Sequence, residues 1–284
     1  MQAKHIVAIS PSGIHDSQKV QNSISLLESW GHRVTLAPNY AAKHMYTAGT
    51  FSQRIADVRW ALAQDDADII WFVRGGYGTA QLLPLIKQCD KTVVGFSDAT
   101  ALLAHMWNKR EGQAMHGPVL NSLSSLCDAQ SIQHVKTWLE TGALPTMPAE
   151  YFCGPTDLIS GRLVGGNLCV LAHLCGTPFQ LQTDNCILAL EDISEPPYKI
   201  DRMLLQLEQS GMFDNIQAIV LGDFHNCNPP TDAVWTLEDV WQERLSYLGV
   251  PVYHRAPFGH AEVNWLWKMG QTIELGQQSA TIIP

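Results

Sequence analysis

Stretches of strand and helix character alternate through the first half of the chain. Apolar runs typical of buried strands are followed by segments in which apolar residues recur every three or four positions, the period of an amphipathic helix. The predicted strands are HIVAIS (5–10), HRVTLAP (32–38), ADIIWFVRGG (67–76) and KTVVGFSD (91–98), and the predicted helices are 17–30, 51–64, 79–89 and 98–110. This repeating order predicts a parallel sheet with helices on both faces.

The pattern changes after residue 141. Residues 142–160 are rich in chain-breaking residues, namely Pro145, Pro148, Gly154 and Pro155. We interpret this range as a linker between an N-terminal α/β domain, residues 1–141, and a second domain, residues 161–284. The second part mixes short strands with two helical stretches: ISGRLVGG (159–166), CILALED (186–192), AIVLGDF (218–224), and helices at 200–209 and 236–248.

Composition and charge narrow the choice of partners. The 284 residues are 46% hydrophobic, which is ordinary for a globular protein, and the formal net charge is −9. No stripe of Lys and Arg offsets this charge, so we expect no nucleic-acid partner. No apolar run approaches a membrane span, and the first one is too short for a signal peptide, so we expect no membrane association and a cytoplasmic location. The seven cysteines form no C-x-x-C pair, which is typical of free thiols rather than a disulfide framework or a metal site.

Glycines follow the predicted strand at 67–76. The segment reads Arg74-Gly75-Gly76-Tyr77-Gly78. Glycine lets a substrate approach the backbone closely, and exposed N–H groups there can bind an anion or an oxyanion. The segment lacks the full dinucleotide and P-loop patterns, and a purely structural turn is the alternative.

Ser97 lies where a predicted strand turns into a helix. That position exposes a hydroxyl above the sheet, at a helix N-terminus that favours developing negative charge. Gly95-Phe96-Ser97-Asp98-Ala99 matches the G-x-S-x-G nucleophile elbow except that Ala99 replaces the last glycine. The alternative is that Ser97 or Asp98 only caps the helix.

Two further polar positions follow predicted strands in the second half. Glu191 and Asp192 end an apolar strand, where a carboxylate can orient a histidine as the acid of a catalytic triad does; a solvated strand end is the alternative. His260 lies in a glycine-containing turn after VPVYHR (250–255). Histidine is the natural general base near neutral pH, but the chain has eleven histidines, so a structural role stays open.

Taken together, these segments resemble the LD-carboxypeptidase family, which includes the microcin-immunity peptidases. The family motifs R-G-G-Y-G, G-[YF]-S-D, H-G-P, L-E-D-x-x-E-x-P-Y-x-x-D-R and P-F-G-H occur here in the same order, at 74–78, 95–98, 116–118, 190–202 and 257–260. The stretch GRLVGGN (161–167) resembles a further family segment. The resemblance implies a flavodoxin-like N-terminal domain with a parallel sheet and a smaller C-terminal domain with a β-barrel-like core.

The resemblance also implies a set of site residues in the cleft between the domains. Ser97 is the implied nucleophile, His260 its base, and Glu191 the acid that orients His260. The backbone N–H groups of Asp98 and of Gly75 or Gly76 are the candidates for the oxyanion hole.

Two side chains of the glycine segment are candidates for substrate binding. Arg74 can pair with a substrate carboxylate, or it can instead be a structural ion-pair partner. Tyr77, which follows the two glycines, is the other candidate.

The implied activity is that of a serine carboxypeptidase of murein recycling. It releases terminal D-alanine from cell-wall muropeptides by hydrolysing an L,D amide bond, requires no metal or organic cofactor, and is expected to be a homodimer. One alternative is a microcin-immunity-like peptidase that cleaves peptidyl or aminoacyl-nucleotide amides. Another is a non-catalytic peptide-binding protein on the same scaffold.

The chain departs from the family pattern behind His260. Where many relatives continue with glycine and a later L-P-L-G, this chain has Ala261 and then Trp265-Leu266-Trp267-Lys268-Met269-Gly270. The two tryptophans either reshape the pocket, where they are conceivable partners for a nucleotide base, or belong to the core of the last hairpin.

Overall fold

The computed structural model describes residues 3–276 and 280–282. Its strands are β1 (His5–Ile9), β2 (Arg33–Leu36), β3 (Ile69–Phe72), β4 (Thr92–Gly95), β5 (Gln113–His116), β6 (Met147–Cys153), β7 (Ile159–Asn167), β8 (Cys186–Ile193), β9 (Ala218–His225), β10 (Val252–His254), β11 (Trp267–Lys268), β12 (Thr272–Leu275) and β13 (Ala280–Ile282). Its α-helices are α1 (Ser17–Ser29), α2 (Phe51–Leu62), α3 (Thr100–Lys109), α4 (Leu120–Leu123), α5 (Ala129–Thr141), α6 (Leu168–Leu174), α7 (Pro197–Gln209) and α8 (Leu237–Leu245).

The first sheet is parallel apart from one edge strand. Its order is β2-β1-β3-β4-β5-β11, and only β11 runs antiparallel to its neighbour. The five parallel strands have the flavodoxin-like order, so the predicted fold class is confirmed for this part. In such a sheet the loop after β1 leads to one face of the sheet and the loop after β3 to the other. Ligands bind in the crevice between these two loops.

The second sheet lies in the C-terminal part and is curled into a half-barrel. Its order is β12-β7-β8-β9-β10-β6-β13, with four parallel strands in the centre and antiparallel strands at both edges. β6 falls inside the range 142–160 that the sequence predicts as a linker, and that range therefore contributes a strand to this sheet. The domain limits at 141 and 161 stay a prediction.

One continuous apolar core joins the two sheets. It includes Phe72 of β3, Leu103 of α3, Leu163 of β7 and Leu188 of β8, each fully buried. A separate cluster covers the other face of the first sheet, with Trp71 of β3 among its members. Because side chains of both sheets interdigitate in one core, the ends of their strands are held in a fixed relation.

One predicted helix, 79–89, is wrong. The structure has two short 3₁₀ turns there, Thr79–Gln81 and Leu83–Leu85. Pro84 lies inside the second turn and lacks the N–H that a continuing α-helix needs.

Across the described residues, no helix has the length and apolar character needed to cross a bilayer.

Candidate active site

The carboxyl ends of β1, β3 and β4 meet at one edge of the first sheet. The loop after β1 joins the loop after β3 through the N–H of Gly13, which donates to the carbonyl of Gly75 at 2.9 Å. Ser97 follows β4 at the same edge. The structure therefore brings the predicted glycine segment and the predicted nucleophile together at the crevice expected for this strand order.

Ser97 occupies a sharp turn between β4 and α3. Its φ is +59°, in the left-handed region that residues other than glycine seldom adopt, and it opens the 3₁₀ turn Ser97–Ala99. This conformation is typical of a nucleophile elbow, where the turn lifts the hydroxyl out of the backbone. Ala99, which replaces the last glycine of the motif, has room because residue 95 is a glycine. A Cβ on Gly95 would lie 2.7 Å from the Cβ of Ala99.

Asp98 connects three loops rather than capping a helix. Its buried carboxylate accepts hydrogen bonds from Ser12 Oγ at 2.5 Å and from the Thr79 N–H at 2.9 Å. Neither Ser97 nor Asp98 makes a side-chain capping bond to the 3₁₀ turn or to α3. The carboxylate thus fixes the Ser97 turn against the loops after β1 and β3.

Gly75 lies directly against Ser97. A Cβ on Gly75 would be 2.8 Å from Ser97 Oγ and 3.6 Å from the backbone nitrogen of Asp98. Gly76 has a φ of +111°, which favours glycine. Within residues 3–276 and 280–282, the N–H groups of Gly75 and Gly76 donate to no other group. They are available to an oxyanion at Ser97, and this role stays a prediction.

Arg74 and Tyr77 lie at the exposed rim of this edge. Arg74 donates from Nη1 to the carbonyl oxygen of Ile14, and no acidic partner for it is found in the described part of the chain. Tyr77 is half exposed, and its ring meets the edge of Tyr46 at 5.7 Å between centroids. Contact of either side chain with a substrate stays a prediction.

The buried Glu191 and the partly exposed His260 form a pair beside the Ser97 turn. His260 Nδ1 donates to Glu191 Oε2 at 2.6 Å, which leaves Nε2 of the neutral imidazole as an acceptor. Glu191 is completely buried near the end of β8, where the pairing with β9 shifts register between Leu190 and Asp192. The His260 ring lies 4.7 Å from the ring of Phe96, the residue that precedes Ser97.

Local backbone chemistry explains how His260 reaches this place. Gly259, at φ +139°, lets the turn after β10 pass close over β9, because a Cβ there would lie 3.0 Å from that of Asp223. The Asp223 N–H holds the same turn by donating to the Phe258 carbonyl at 2.8 Å.

The charges of the pair support each other. Burial disfavours the ionised carboxylate of Glu191, but the charge of His260, then the polar contact with His116 and the hydrogen bond from His260, outweigh burial and hold the pKa of Glu191 below its usual value. Burial likewise disfavours the imidazolium, but Glu191, with smaller contributions from Asp192 and Asp223, raises the pKa of His260 above its usual value. The site therefore favours an ionised acid next to a histidine that holds a proton more firmly than usual.

A polar network that the sequence did not assign surrounds Glu191. Asn167, its neighbour across β7 and β8, donates from Nδ2 to Asp192 Oδ1 at 3.0 Å, and its N–H donates to Thr100 Oγ1 at 3.1 Å. Burial, and then the charge of Glu191, raise the pKa of Asp192 to about 6. Since Thr100 begins α3, the network connects the second sheet to the helix that follows Ser97. Its signal in the sequence is the GGN end of GRLVGGN.

His116, from the motif H-G-P, lies on the other side of Glu191. It is completely buried, and its Nε2 is 3.9 Å from Glu191 Oε1. Its ring stacks on Trp267 at 4.9 Å and 16°. No role followed from this motif in the sequence alone.

The two tryptophans behind His260 belong to the core. Trp267 is fully buried and forms β11 against β5, and Trp265 is 8% exposed and packs on His134 at 4.3 Å between ring centroids. They are therefore core residues, although β11 adds to the first sheet and is not part of a terminal hairpin. Neither ring is open for stacking on a nucleotide base.

Two cavities differ in their relation to this site. A cavity of about 430 Å³ opens beside the turn of His260 and is lined by Asp223, Arg255 and Ala261. A larger one, of about 860 Å³, lies at the opposite, amino end of β5, near Gln113 and Trp138. The smaller cavity adjoins the turn that carries His260, but Ser97, Glu191 and His260 themselves do not line it. In the described ranges, no cluster of three His, Cys, Asp or Glu side chains is arranged to hold a metal ion.

Comparison with protein families covers most of the chain. Residues 6–117 match the N-terminal domain of LD-carboxypeptidases, and residues 160–275 match their C-terminal domain. A putative carboxypeptidase of Synechocystis sp. is 37% identical over 98% of this chain and 93% of its own length. The murein tetrapeptide carboxypeptidase of Pseudomonas aeruginosa is 33% identical over 95% of this chain and 92% of its own length.

Solved structures show the same fold. The muramoyltetrapeptide carboxypeptidase from Oxalobacter formigenes superposes with a TM-score of 0.81 at 28% identity, covering 97% of each chain. The protein MccF in complex with glutamyl sulfamoyl guanosine superposes with a TM-score of 0.87, covering 99% of this chain and 96% of its own. MccF is only 18% identical to this chain, so that likeness shows the fold alone.

Proposed function

Because the chain belongs to the LD-carboxypeptidase family, we propose that it releases terminal D-alanine from cell-wall muropeptides through a triad of Ser97, His260 and Glu191. The observation that carries the triad is the 2.6 Å hydrogen bond from His260 to Glu191, with the imidazole packed against the residue that precedes Ser97. The named activities of the murein carboxypeptidase relatives support the substrate.

The proposed reaction has two steps. His260 Nε2 takes the proton of Ser97 Oγ as the oxygen attacks the scissile carbonyl, and the same proton passes to the nitrogen of the departing D-alanine. A water molecule, deprotonated by His260, then attacks the acyl-enzyme and restores Ser97. Glu191 holds the imidazole in the required tautomer and stabilises the imidazolium that forms in each step.

The oxyanion of each step needs hydrogen-bond donors near Ser97 Oγ. We propose that the N–H of Asp98 and one N–H of Gly75 or Gly76 are these donors. The glycine segment meets the Ser97 turn, and the glycine N–H groups have no other acceptor among the described residues. Removing one such donor lowers the rate of known hydrolases by about 100- to 1,000-fold.

The function is tested by supplying the tetrapeptide L-Ala-γ-D-Glu-meso-diaminopimelate-D-Ala and measuring released D-alanine. We expect free D-alanine and the matching tripeptide, with no release by the Ser97→Ala variant. A fluorophosphonate should label Ser97 in the wild-type protein and separates a hydrolase from a peptide-binding protein. Labelling of Ser97 without D-alanine release would reject the substrate and keep the triad. The absence of both labelling and release would reject the substrate and the triad together.

The pH profile should reflect the raised pKa of His260. The imidazole acts as a base only when neutral, and a raised pKa keeps it protonated to higher pH. We therefore expect the acidic limb of kcat/KM to have an apparent pKa above about 6.5, the ordinary value for histidine. Removing the charge of its partner, in Glu191→Gln, should move the limb of the residual activity to lower pH. An apparent pKa below about 6 for the acidic limb of the wild-type enzyme would contradict the assignment of His260 as the base.

Substituting Gly75 should block the nucleophile. In Gly75→Ala the new Cβ would lie 2.7 Å from Ser97 Cβ and 2.8 Å from its Oγ, so the serine or the glycine segment must move. We expect kcat/KM to fall by about 100-fold or more, in line with a displaced oxyanion donor. Gly276→Ala is the matched control, because among the described residues its Cβ would meet only Leu158 Cδ1, at 3.7 Å. Equal activity of the two variants would show that the glycine segment does not contact the reacting atoms.

Compartment and oligomeric state complete the proposal. All seven cysteines are free thiols, which supports the reducing cytoplasm as the location. The homodimer rests on the family resemblance, and sedimentation equilibrium of the purified protein tests it.

A further inference from the structure

We propose that His116 is a positioning residue that holds the second carboxylate oxygen of Glu191, so that the first oxygen stays aligned with His260. The inference rests on the proposed triad. It assigns a role to the motif H-G-P and to the aromatic segment after His260, neither of which the reaction above uses.

Unpaired polar atoms of Glu191 and His116 face each other in the interior. Glu191 Oε1 has no hydrogen-bond partner within the described ranges, and the same holds for both ring nitrogens of His116. The side chains of Glu191 and His116 are both completely buried, and Nε2 lies 3.9 Å from Oε1. A buried carboxylate oxygen without a donor is costly, so a neighbouring imidazole N–H is its natural partner.

The separation fits a contact that tightens during the reaction. The two atoms must approach by about 1 Å to reach hydrogen-bond distance. Hydrogen bonds in unliganded active sites are often long and shorten only when the substrate binds. As the imidazolium of His260 forms, its positive charge attracts Oε2 of Glu191. A hydrogen bond to Oε1 then keeps the carboxylate from rotating away from His260.

The surroundings of His116 leave Glu191 as its polar partner. The His116 ring stacks on Trp267 at 4.9 Å, and the rings of Phe96 and Phe258 meet it at 5.9 and 5.8 Å. The two phenyl rings carry no polar atom, and the indole N–H of Trp267 has no hydrogen-bond partner among the described residues. Glu191 is therefore the charged group that faces His116 within the described part of the chain, while His260 pairs with the other carboxylate oxygen.

Backbone pairing fixes the position of His116. It lies beside Gly95 in the pairing of β4 with β5 and opposite Trp267 in the pairing of β5 with β11. Residue 116 is therefore held by a strand on each side. Its partner on β4, Gly95, is two residues before Ser97. Such a rigid support is what a group that positions another side chain requires.

Two substitutions separate the donor from the packing. His116→Phe keeps an aromatic ring against Trp267 but removes the N–H, whereas His116→Gln keeps a donor near the position of Nε2 and loses the stacking. We expect kcat for D-alanine release to fall by about 10- to 100-fold in His116→Phe, the effect of one hydrogen bond to a charged group, with KM nearly unchanged. His116→Gln should recover most of that loss. Activity of His116→Phe equal to or above that of His116→Gln would overturn the proposal.

The wild-type protein supplies a second measurement that does not depend on how the variants fold. With ¹⁵N-labelled histidine, the NMR shifts at neutral pH should show His116 protonated at Nε2, and this signal should move in Glu191→Gln. A proton on Nδ1 alone would overturn the proposal. If the triad itself were wrong, Ser97→Ala would remain active; an inactive Ser97→Ala together with a fully active His116→Phe would reject only the role of His116.

Discussion

Ser97→Ala is expected to lower kcat by about 10⁴- to 10⁶-fold, because it removes the oxygen proposed to attack the substrate carbonyl. The binding surface is otherwise retained, so the Kd for the tetrapeptide should stay within about twofold of the wild-type value. The measurements are steady-state D-alanine release and calorimetric titration of the inactive variant with the intact tetrapeptide.

The control for this prediction is Ser29→Ala, which removes an exposed hydroxyl at the end of α1; within the described ranges this hydroxyl bonds only to the Leu26 carbonyl. It should keep full activity. Turnover by Ser97→Ala close to that of the wild-type enzyme would mean that another group is the nucleophile. Loss of binding together with turnover would instead indicate that the turn at φ +59° depends on the serine side chain.

Glu191→Gln is the second substitution with a large expected effect. Glutamine has the shape of glutamate but carries an N–H₂ group and no charge, so it no longer fixes the tautomer of His260 or stabilises the imidazolium. We expect kcat to fall by about 10³- to 10⁴-fold, as in hydrolases whose triad acid is replaced by its amide. Glu28→Gln, an exposed change on α1, is the control and should have no effect. A loss below about tenfold would contradict the triad.

The same variant tests the linkage between Glu191 and stability. The pKa of Glu191 is depressed in the folded state, so its ionisation stabilises the fold above the unfolded pKa, about 4.3, and this contribution is lost as the pH falls through the lower folded value. The difference in Tm between wild type and Glu191→Gln should therefore shrink as the pH is lowered from 5 toward 3. A constant difference would show that the carboxylate is not preferentially ionised in the native state.

Much of the first sheet was predictable, because strands such as β1 and β3 are continuous apolar runs between helices with a clear period. Two elements show where local pattern fails. The segment 79–89 has helical spacing, but Pro84 and the turn that presents Thr79 to Asp98 prevent a continuous helix. β11 is two residues long and exists only because β5 provides an edge for it, and a pairing between residues so far apart leaves no trace in a local window.

The candidate site was predictable to the extent that its residues stand in motifs. Ser97, Glu191 and His260 follow from the family resemblance, and the structure brings Glu191 and His260 into contact although they lie 69 positions apart in the sequence. Asp98 shows the limit of local reasoning. Next to a helix start its sequence position favours a cap, yet its carboxylate turns to Ser12 and Thr79. Which partner a polar side chain takes is decided by the loops that tertiary structure places around it.

The pairing of β11 with β5 has a consequence for biosynthesis. Residues 267 and 268 complete the edge of a sheet whose other strands all lie before residue 117. A ribosome must therefore translate as far as residue 268 before that edge is closed, and until then β5 presents unpaired backbone groups that invite aberrant association. Nascent chains released early should consequently be clients for chaperones, and C-terminal truncation upstream of Trp267 should reduce the yield of native protein more than the loss of a two-residue strand would imply.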